Sequence, residues 1–308
     1  MADPKKDTQK DPRPWYKKAD LIHRGARTPT PWGTLTFVGL RLADIPLQHA
    51  LLAPAAGHLG TSLLARAGVS TTAALLLPAS AGLLDTGIPL LDSLGTPTAA
   101  LLLLFACGSA AKQIYWQTVL SYESFPAGAA LAVALYNTLM NGANALLFRA
   151  SGTSSLFSQP QISFPVPFFL SSPSPSPSSS PSASARVSIP LSTLVGLGMY
   201  AFGLALETVS EAQRKAFKDR PENKGKVCKV GVWRWARHVN YLGYSLWRGG
   251  YTMVASGWVA GLAVTFAQMW DLGHRAAGVL DDYCTEKYKE QWVQFKREVP
   301  YKILPGIY

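Results

Sequence analysis

The sequence has little charge and almost no cysteine. Only 15% of its 308 residues are charged, where a soluble domain carries about a quarter. With 48% hydrophobic residues and a mean hydropathy of +0.11, that shortage argues against an ordinary soluble domain and predicts a membrane protein. The three cysteines, Cys107, Cys228 and Cys284, are an odd number without CxxC spacing. They support neither a disulfide framework nor structural zinc, and no metal site is expected. No Asn-x-Ser/Thr acceptor occurs, and residues 1–31 hold no apolar signal-peptide core. The phosphate-cradling GxGxxG and GxxxxGK[ST] loops are missing, as are Ser-His-Asp and HExxH arrangements, so nothing supports a Rossmann site, a P-loop or those hydrolase sites.

What charge there is has one dominant sign. The net charge is +11, and most of the excess lies in Lys5–Arg27 and Arg214–Arg237. Both blocks flank apolar segments, as the cytosolic flanks of membrane helices do. The expected partner is a lipid bilayer rather than nucleic acid. Residues 1–31 read as a cytosolic basic arm in which Pro4, Pro12, Pro14, Pro29 and Pro31 forbid a long helix. Residues 32–149 read as N-terminal membrane helices, 150–186 as a Ser/Pro-rich linker, and 187–308 as a cofactor-binding membrane region with a C-terminal tail.

Apolar spans are predicted near 32–52, 97–119, 126–148 and 188–208. Residues 53–95, broken by Pro54, Pro78 and Pro89, fit a re-entrant piece as well as a span. Residues 241–270 are too long for one span and short for two, so a tight helical hairpin is predicted with its turn at Ser256–Gly257. Arg41 and Asp44 share a helix face at i and i+3, as a self-paired couple or a substrate contact. Asn137, Asn141 and Asn144 form a polar stripe that either knits helices or lines a cavity. Arg248 points its arm of the hairpin at protein or a polar cavity. Glu211–Arg237 reads as a basic loop, and 280–299 as an amphipathic surface helix stopped by Pro300. The expected fold is all-α: a polytopic membrane bundle of about six spans, with a cytosolic amphipathic C-terminal helix and both termini cytosolic.

The densest chemistry lies in Lys226–Tyr244. Its cations suit a phosphorylated group and its tryptophans a flat ring, while His238, Trp233 and Trp235 could also serve as interfacial anchors. The string Arg237-His238-Val239-Asn240-Tyr241-Leu242-Gly243 resembles the RHxNYxG box of the sterol reductases, whose clan takes in steroid 5-alpha reductases and isoprenylcysteine methyltransferases. Gln213–Lys218 resembles the upstream QKxxFR-type box, and Cys284–Tyr288, Trp292 and Val299–Tyr308 resemble the C-terminal ending. The resemblance covers the last third of the chain. It implies an NADPH-dependent reductase of a double bond in a sterol-like hydrophobic substrate, in the endoplasmic reticulum membrane. It also implies cofactor contacts at Arg214, Lys218, Arg237, His238, Asn240, Tyr241, Asp281 and Tyr288, to which Trp233 is added as a flat-ring contact. Tyr241, Tyr244 and Tyr251 are candidate proton donors. The same clan offers methyl transfer from S-adenosylmethionine as an alternative, and Tyr244, which stands where the reductases keep an acid, supports a non-catalytic scaffold as another. Topology is checked by inserting glycosylation acceptors at positions 60 and 175: both are expected to be modified, and modification of an acceptor in the basic arm would refute the arrangement.

Overall fold

A computed structural model of the chain describes residues 28–54, 58–69, 84, 86–121, 123–150, 160–165 and 186–308. The expectations for the basic arm up to residue 27, and for most of the apolar stretch 70–85, lie outside the described residues. Ten helices and one hairpin of strands follow in order among those that are described. They are α1 (Pro31–Leu52), α2 (Leu59–Arg66), α3 (Pro89–Asp92), α4 (Pro97–Tyr115), α5 (Ala127–Arg149), β1 (Gln161–Pro165), β2 (Arg186–Pro190), α6 (Leu191–Asp219), α7 (Val239–Ser256), α8 (Trp258–Asp271), α9 (Ala277–Tyr288) and α10 (Glu290–Glu298). Among the described residues, three segments are long and apolar enough to cross a membrane: Pro97–Leu120, Ala127–Arg149 and Leu191–Asp219.

Helix α7 is the hub. Fourteen of its eighteen residues are buried, so it is enclosed on nearly every side. Its contact with α6 is backbone to backbone. A Cβ added at Gly250 would stand 2.5 Å from the Gly196 carbonyl oxygen, and one added at Gly203 would stand 2.5 Å from the Trp247 nitrogen. Gly243 approaches the Glu207 nitrogen in the same way, at 2.6 Å. Small residues of this kind let membrane helices pack closely. The predicted hairpin turn falls at Gly257, whose φ of 85° suits glycine, and α8 returns against α7 with Gly261 on Met253.

Polar residues tie the other helices to this hub. Asp44 accepts from Arg41 Nη1 at 2.9 Å, from Gln48 Nε2 at 2.9 Å and from Asn141 Nδ2 at 2.8 Å. Arg248 Nη1 donates to Asn141 Oδ1 at 3.2 Å, Arg248 Nη2 donates to Asn137 Oδ1, and Thr252 donates to Asn144 at 2.9 Å. The asparagine stripe of α5 therefore knits helices, and Arg248 faces protein. Aromatic packing fills the space beside it: Tyr200 stacks on Phe105 with centroids 3.8 Å apart, and Tyr251 meets Phe105 edge-on.

Three local expectations change. The basic stretch after Glu211 does not begin as a loop; α6 continues to Asp219, supported by Glu211–Arg214 and Lys215–Asp219 pairs one turn apart. The C-terminal helix is two helices. Lys289, with φ 50°, breaks it, which lets Cys284 of α9 and Trp292 and Phe295 of α10 share one apolar cluster with Val227. Gln161–Pro165 of the Ser/Pro linker pairs antiparallel with Arg186–Pro190, which runs from the linker's last residue into the next region.

The close α6–α7 approach makes a graded prediction. Gly203→Val should destabilise the protein by about 2 kcal/mol or more, as overpacking does, read as a lower melting temperature in detergent. Gly198→Ala on the same helix meets nothing within 4 Å and should be neutral. Equal tolerance of both would refute the backbone contact.

Candidate functional site

Where α6 runs past its apolar part, it meets the 220–238 connection, the turn after α4 and the α9–α10 pair around a cavity of about 210 Å³. Arg214, Lys218, Trp233, Arg237, His238 and Tyr288 line it. The helical spacing of Glu211, Arg214 and Lys218 puts all three on the face of α6 that borders the space. The connection is pinned to that helix. Gln213 Oε1 accepts from the Val232 amide at 3.0 Å, and Trp233 Nε1 donates to the Ser210 carbonyl at 2.8 Å.

The floor is a carboxylate. Glu211 is 5% exposed; it pairs with Arg214 and accepts from Asn240 Nδ2 at 2.9 Å. The Arg214 guanidinium lies 5.7 Å from the centre of the Trp233 ring. On the opposite wall Lys218 donates to the Tyr288 hydroxyl and, at 3.1 Å, to the Lys226 carbonyl. Burial pushes the Tyr288 phenol up to about 12, so it stays neutral. Arg237 holds the C-terminal tail: its Nη1 donates to the Val299 and Pro300 carbonyls, both at 2.7 Å, while its backbone and that of His238 pair with Tyr301 and Lys302.

His238 is 2% exposed and stacks on Tyr241, centroids 5.2 Å apart. Burial, with Arg237 next to it, pushes its pKa down to about 3, so the ring is neutral and offers one donor and one acceptor. Its Nδ1 has no partner among the described residues. A buried polar atom left unpaired costs about 1–3 kcal/mol.

Other residues expected at the site stand behind the wall. Asn240 donates to Glu211, and Asp281 accepts from Trp292 Nε1 at 2.7 Å, joining α9 to α10. Tyr241 lies behind His238. Tyr244 and Tyr251 are elsewhere: the Tyr244 hydroxyl accepts from Arg248 Nε at 3.2 Å, and the Tyr251 hydroxyl donates to the Leu102 carbonyl at 3.0 Å in the helix core. Sequence reasoning missed Glu211, Trp116, Leu120, Cys228, Tyr283, Cys284 and Lys287, which all line the cavity. The spacing of Glu211 three residues before Arg214 could have found the first. Trp116 and Leu120 come from α4's end and carry no local signal.

Residues 165–299 match the family described as a protein of unknown function, DUF1295. The chain is 29% identical to the probable O-methyltransferase ustE of Ustilaginoidea virens over 277 residues, 88% of this chain and 84% of that protein. It is 27% identical to the Delta(14)-sterol reductase of Neurospora crassa over 37% of this chain and 33% of the reductase. It is 26% identical to the protein-S-isoprenylcysteine O-methyltransferase of Saccharomyces cerevisiae over 34% of this chain and 44% of that enzyme. The similarity is thus to membrane reductases and methyltransferases of the clan that the Arg237–Gly243 box resembles.

His238 sets a pH response. Its folded value of about 3 lies below the unfolded value of 6.5, so between them the unfolded chain binds the extra proton. The stability this provides is full above pH 6.5 and is lost as the pH falls toward 3. From pH 8 to pH 5 the loss should be about 2 kcal/mol, measured by denaturation in detergent, and His238→Gln should flatten it. Identical wild-type and variant curves would refute the burial of a neutral ring.

Proposed function

We propose that the chain is a membrane-embedded methyltransferase that uses S-adenosylmethionine to methylate an oxyanion or thiolate on a hydrophobic acceptor. The observation that carries this reading is the position of the α7 tyrosines. Tyr244 and Tyr251 are bonded inside the helix core and Tyr241 sits behind His238, so the box helix delivers none of its expected proton donors into the cavity. Reduction of a carbon–carbon double bond needs a proton, which would have to come from Tyr283 or Tyr288 at the cavity instead of the box helix; methyl transfer to an ionised acceptor needs none. The similarity to the methyltransferase of Ustilaginoidea virens, which runs along most of both chains, supports the same reading.

The residues present fit this cofactor. Glu211 suits an ammonium and Arg214 a carboxylate. Trp233, Tyr283 and Tyr288 offer aromatic faces for a nucleoside base and for a cationic sulfur, and His238 Nδ1 offers a free polar contact. When bound, S-adenosylmethionine supplies an electrophilic methyl group. The protein's own part is to exclude water, to orient the acceptor against that methyl, and to hold His238 neutral. With a pKa of about 3, His238 is too weak a base to ionise an alcohol. The fitting acceptors therefore carry a charge already, as a carboxylate, an acidic phenol or a thiolate.

A second reading is the NADPH-dependent reductase of a sterol or related polycyclic lipid. Its support is the excess of cations on the wall: Arg214, Lys215, Lys218, Arg237 and Lys287 against Glu123 and Glu211. In either reading we place the chain in the endoplasmic reticulum membrane with about six spans, both termini cytosolic, and the cavity opening on the cytosolic side beside the basic segments.

Purified protein in detergent separates the two. S-adenosylmethionine should raise the melting temperature saturably, Glu211→Gln should weaken that shift at least tenfold, and NADPH should be inert. A shift with NADPH alone, lost in Arg214→Ala, would overturn methyl transfer in favour of reduction.

A further inference from the structure

A second polar centre lies inside the bundle, away from the cavity. Arg41 of α1 is 0% exposed, Arg248 of α7 is 1% exposed, and the carboxylate near them, Asp44, is 2% exposed. Arginine does not give up its proton in a protein, so this seam carries two positive charges against one negative. Its other polar residues, Gln48, Gln113, Asn137, Asn141 and Asn144, are neutral. A charge left unbalanced among apolar helices is costly and marks a functional site.

Asp44 has both oxygens engaged. One oxygen accepts from Gln48, the other from Arg41 and Asn141. Arg248 uses its three nitrogens on neutral acceptors: the Tyr244 hydroxyl, Asn141 and Asn137. Arg41 spends Nη1 on Asp44, while its Nε and Nη2 have no partner among the described residues. Those two nitrogens form one edge of the planar guanidinium. They point two parallel N–H groups the same way, the fork that takes a carboxylate or phosphate with two bonds. Gln48 Oε1 and Asn144 Nδ2 are also buried without partners, so polar contacts for a neighbouring hydroxyl or amide remain in the seam.

We infer that the Nε–Nη2 edge of Arg41 binds the oxyanion end of a lipophilic molecule that enters from the bilayer, a long-chain carboxylate being the chemistry that fits. One such group supplies the missing negative charge and both missing acceptors. Leu35 and Leu42 of α1 are exposed, on a face turned about a third of the way round the helix from Arg41, the side on which a hydrocarbon part would lie. The inference is independent of the methyl-transfer reading, because binding here needs no cofactor.

The test uses the purified full chain in detergent and follows the melting temperature against oleate, oleyl alcohol and dioleoyl phosphatidate. Oleate should stabilise saturably and oleyl alcohol, with the same tail and no charge, should not. Arg41→Gln should weaken oleate at least tenfold. Asn137→Asp leaves Arg41 intact and places a carboxylate against Arg248, so it should fold, balance the charge and weaken oleate at least tenfold as well. Stabilisation by phosphatidate and not by oleate, with the same dependence on Arg41, assigns the oxyanion to a lipid headgroup and supports the site. Equal shifts with oleate and oleyl alcohol, no shift with either oxyanion, or wild-type oleate affinity in Asn137→Asp would overturn it.

Discussion

The structure depends on two helix backbones lying against each other. Between membrane helices there is little hydrophobic drive, so association rests on close packing and polar contacts. Gly196, Gly203, Gly243 and Gly250 remove the side chains that would hold α6 and α7 apart. Their interlock also fixes register. With Gly203 against Gly243, Glu207 receives Trp247 Nε1 at 2.7 Å, and one turn further Glu211 receives Asn240 at 2.9 Å. A slide of one residue would move every point on α6 by about 1.5 Å, enough to break both bonds. The carboxylate at the cavity floor is thus positioned by glycines two turns away.

From that floor a chain of polar groups descends into the bundle. Below Glu211 and Trp116, one turn deeper on each helix, Glu207 and Lys112 form an ion pair. Trp247 joins Glu207 to α7, and on the next residue Arg248 opens the asparagine and Asp44 network. Isolated charges at such depth cost several kcal/mol. Pairing explains why each of these is tolerated, and Arg41 is a charged group in this network that keeps two nitrogens without partners among the described residues.

Much of this was legible where the signal is local. The shortage of charge identified the membrane class, the i,i+3 spacing made Arg41–Asp44 a visible pair, and Ser256–Gly257 marked the hairpin turn. The asparagine stripe was visible as a stripe, but its partner Arg248 lies more than a hundred residues later, so spacing could not choose between glue and cavity. The helical extension to Asp219 was hidden because a run of lysines and arginines reads as solvated loop until its i,i+4 partners are counted. Glu211 was passed over for a similar reason: one carboxylate in a basic stretch looks like surface. Trp116 and Leu120 reach the cavity only through the fold.

The cavity's cations also say less about its ligand than their number suggests. Lys215 is paired with Asp219, Arg214 with Glu211, Arg237 is bonded to tail carbonyls and Lys218 to a carbonyl and a phenol. Each bond spends part of the positive field on the protein itself. A polyphosphate entering there would meet cations already engaged, and a buried carboxylate directly beneath them. Glu211 is itself held by Arg214 and Asn240, so part of its negative field is spent on the protein as well. Under the methyl-transfer proposal a ligand carrying both signs would use the floor and the wall together, and S-adenosylmethionine, with its ammonium, carboxylate and cationic sulfur, is of that kind.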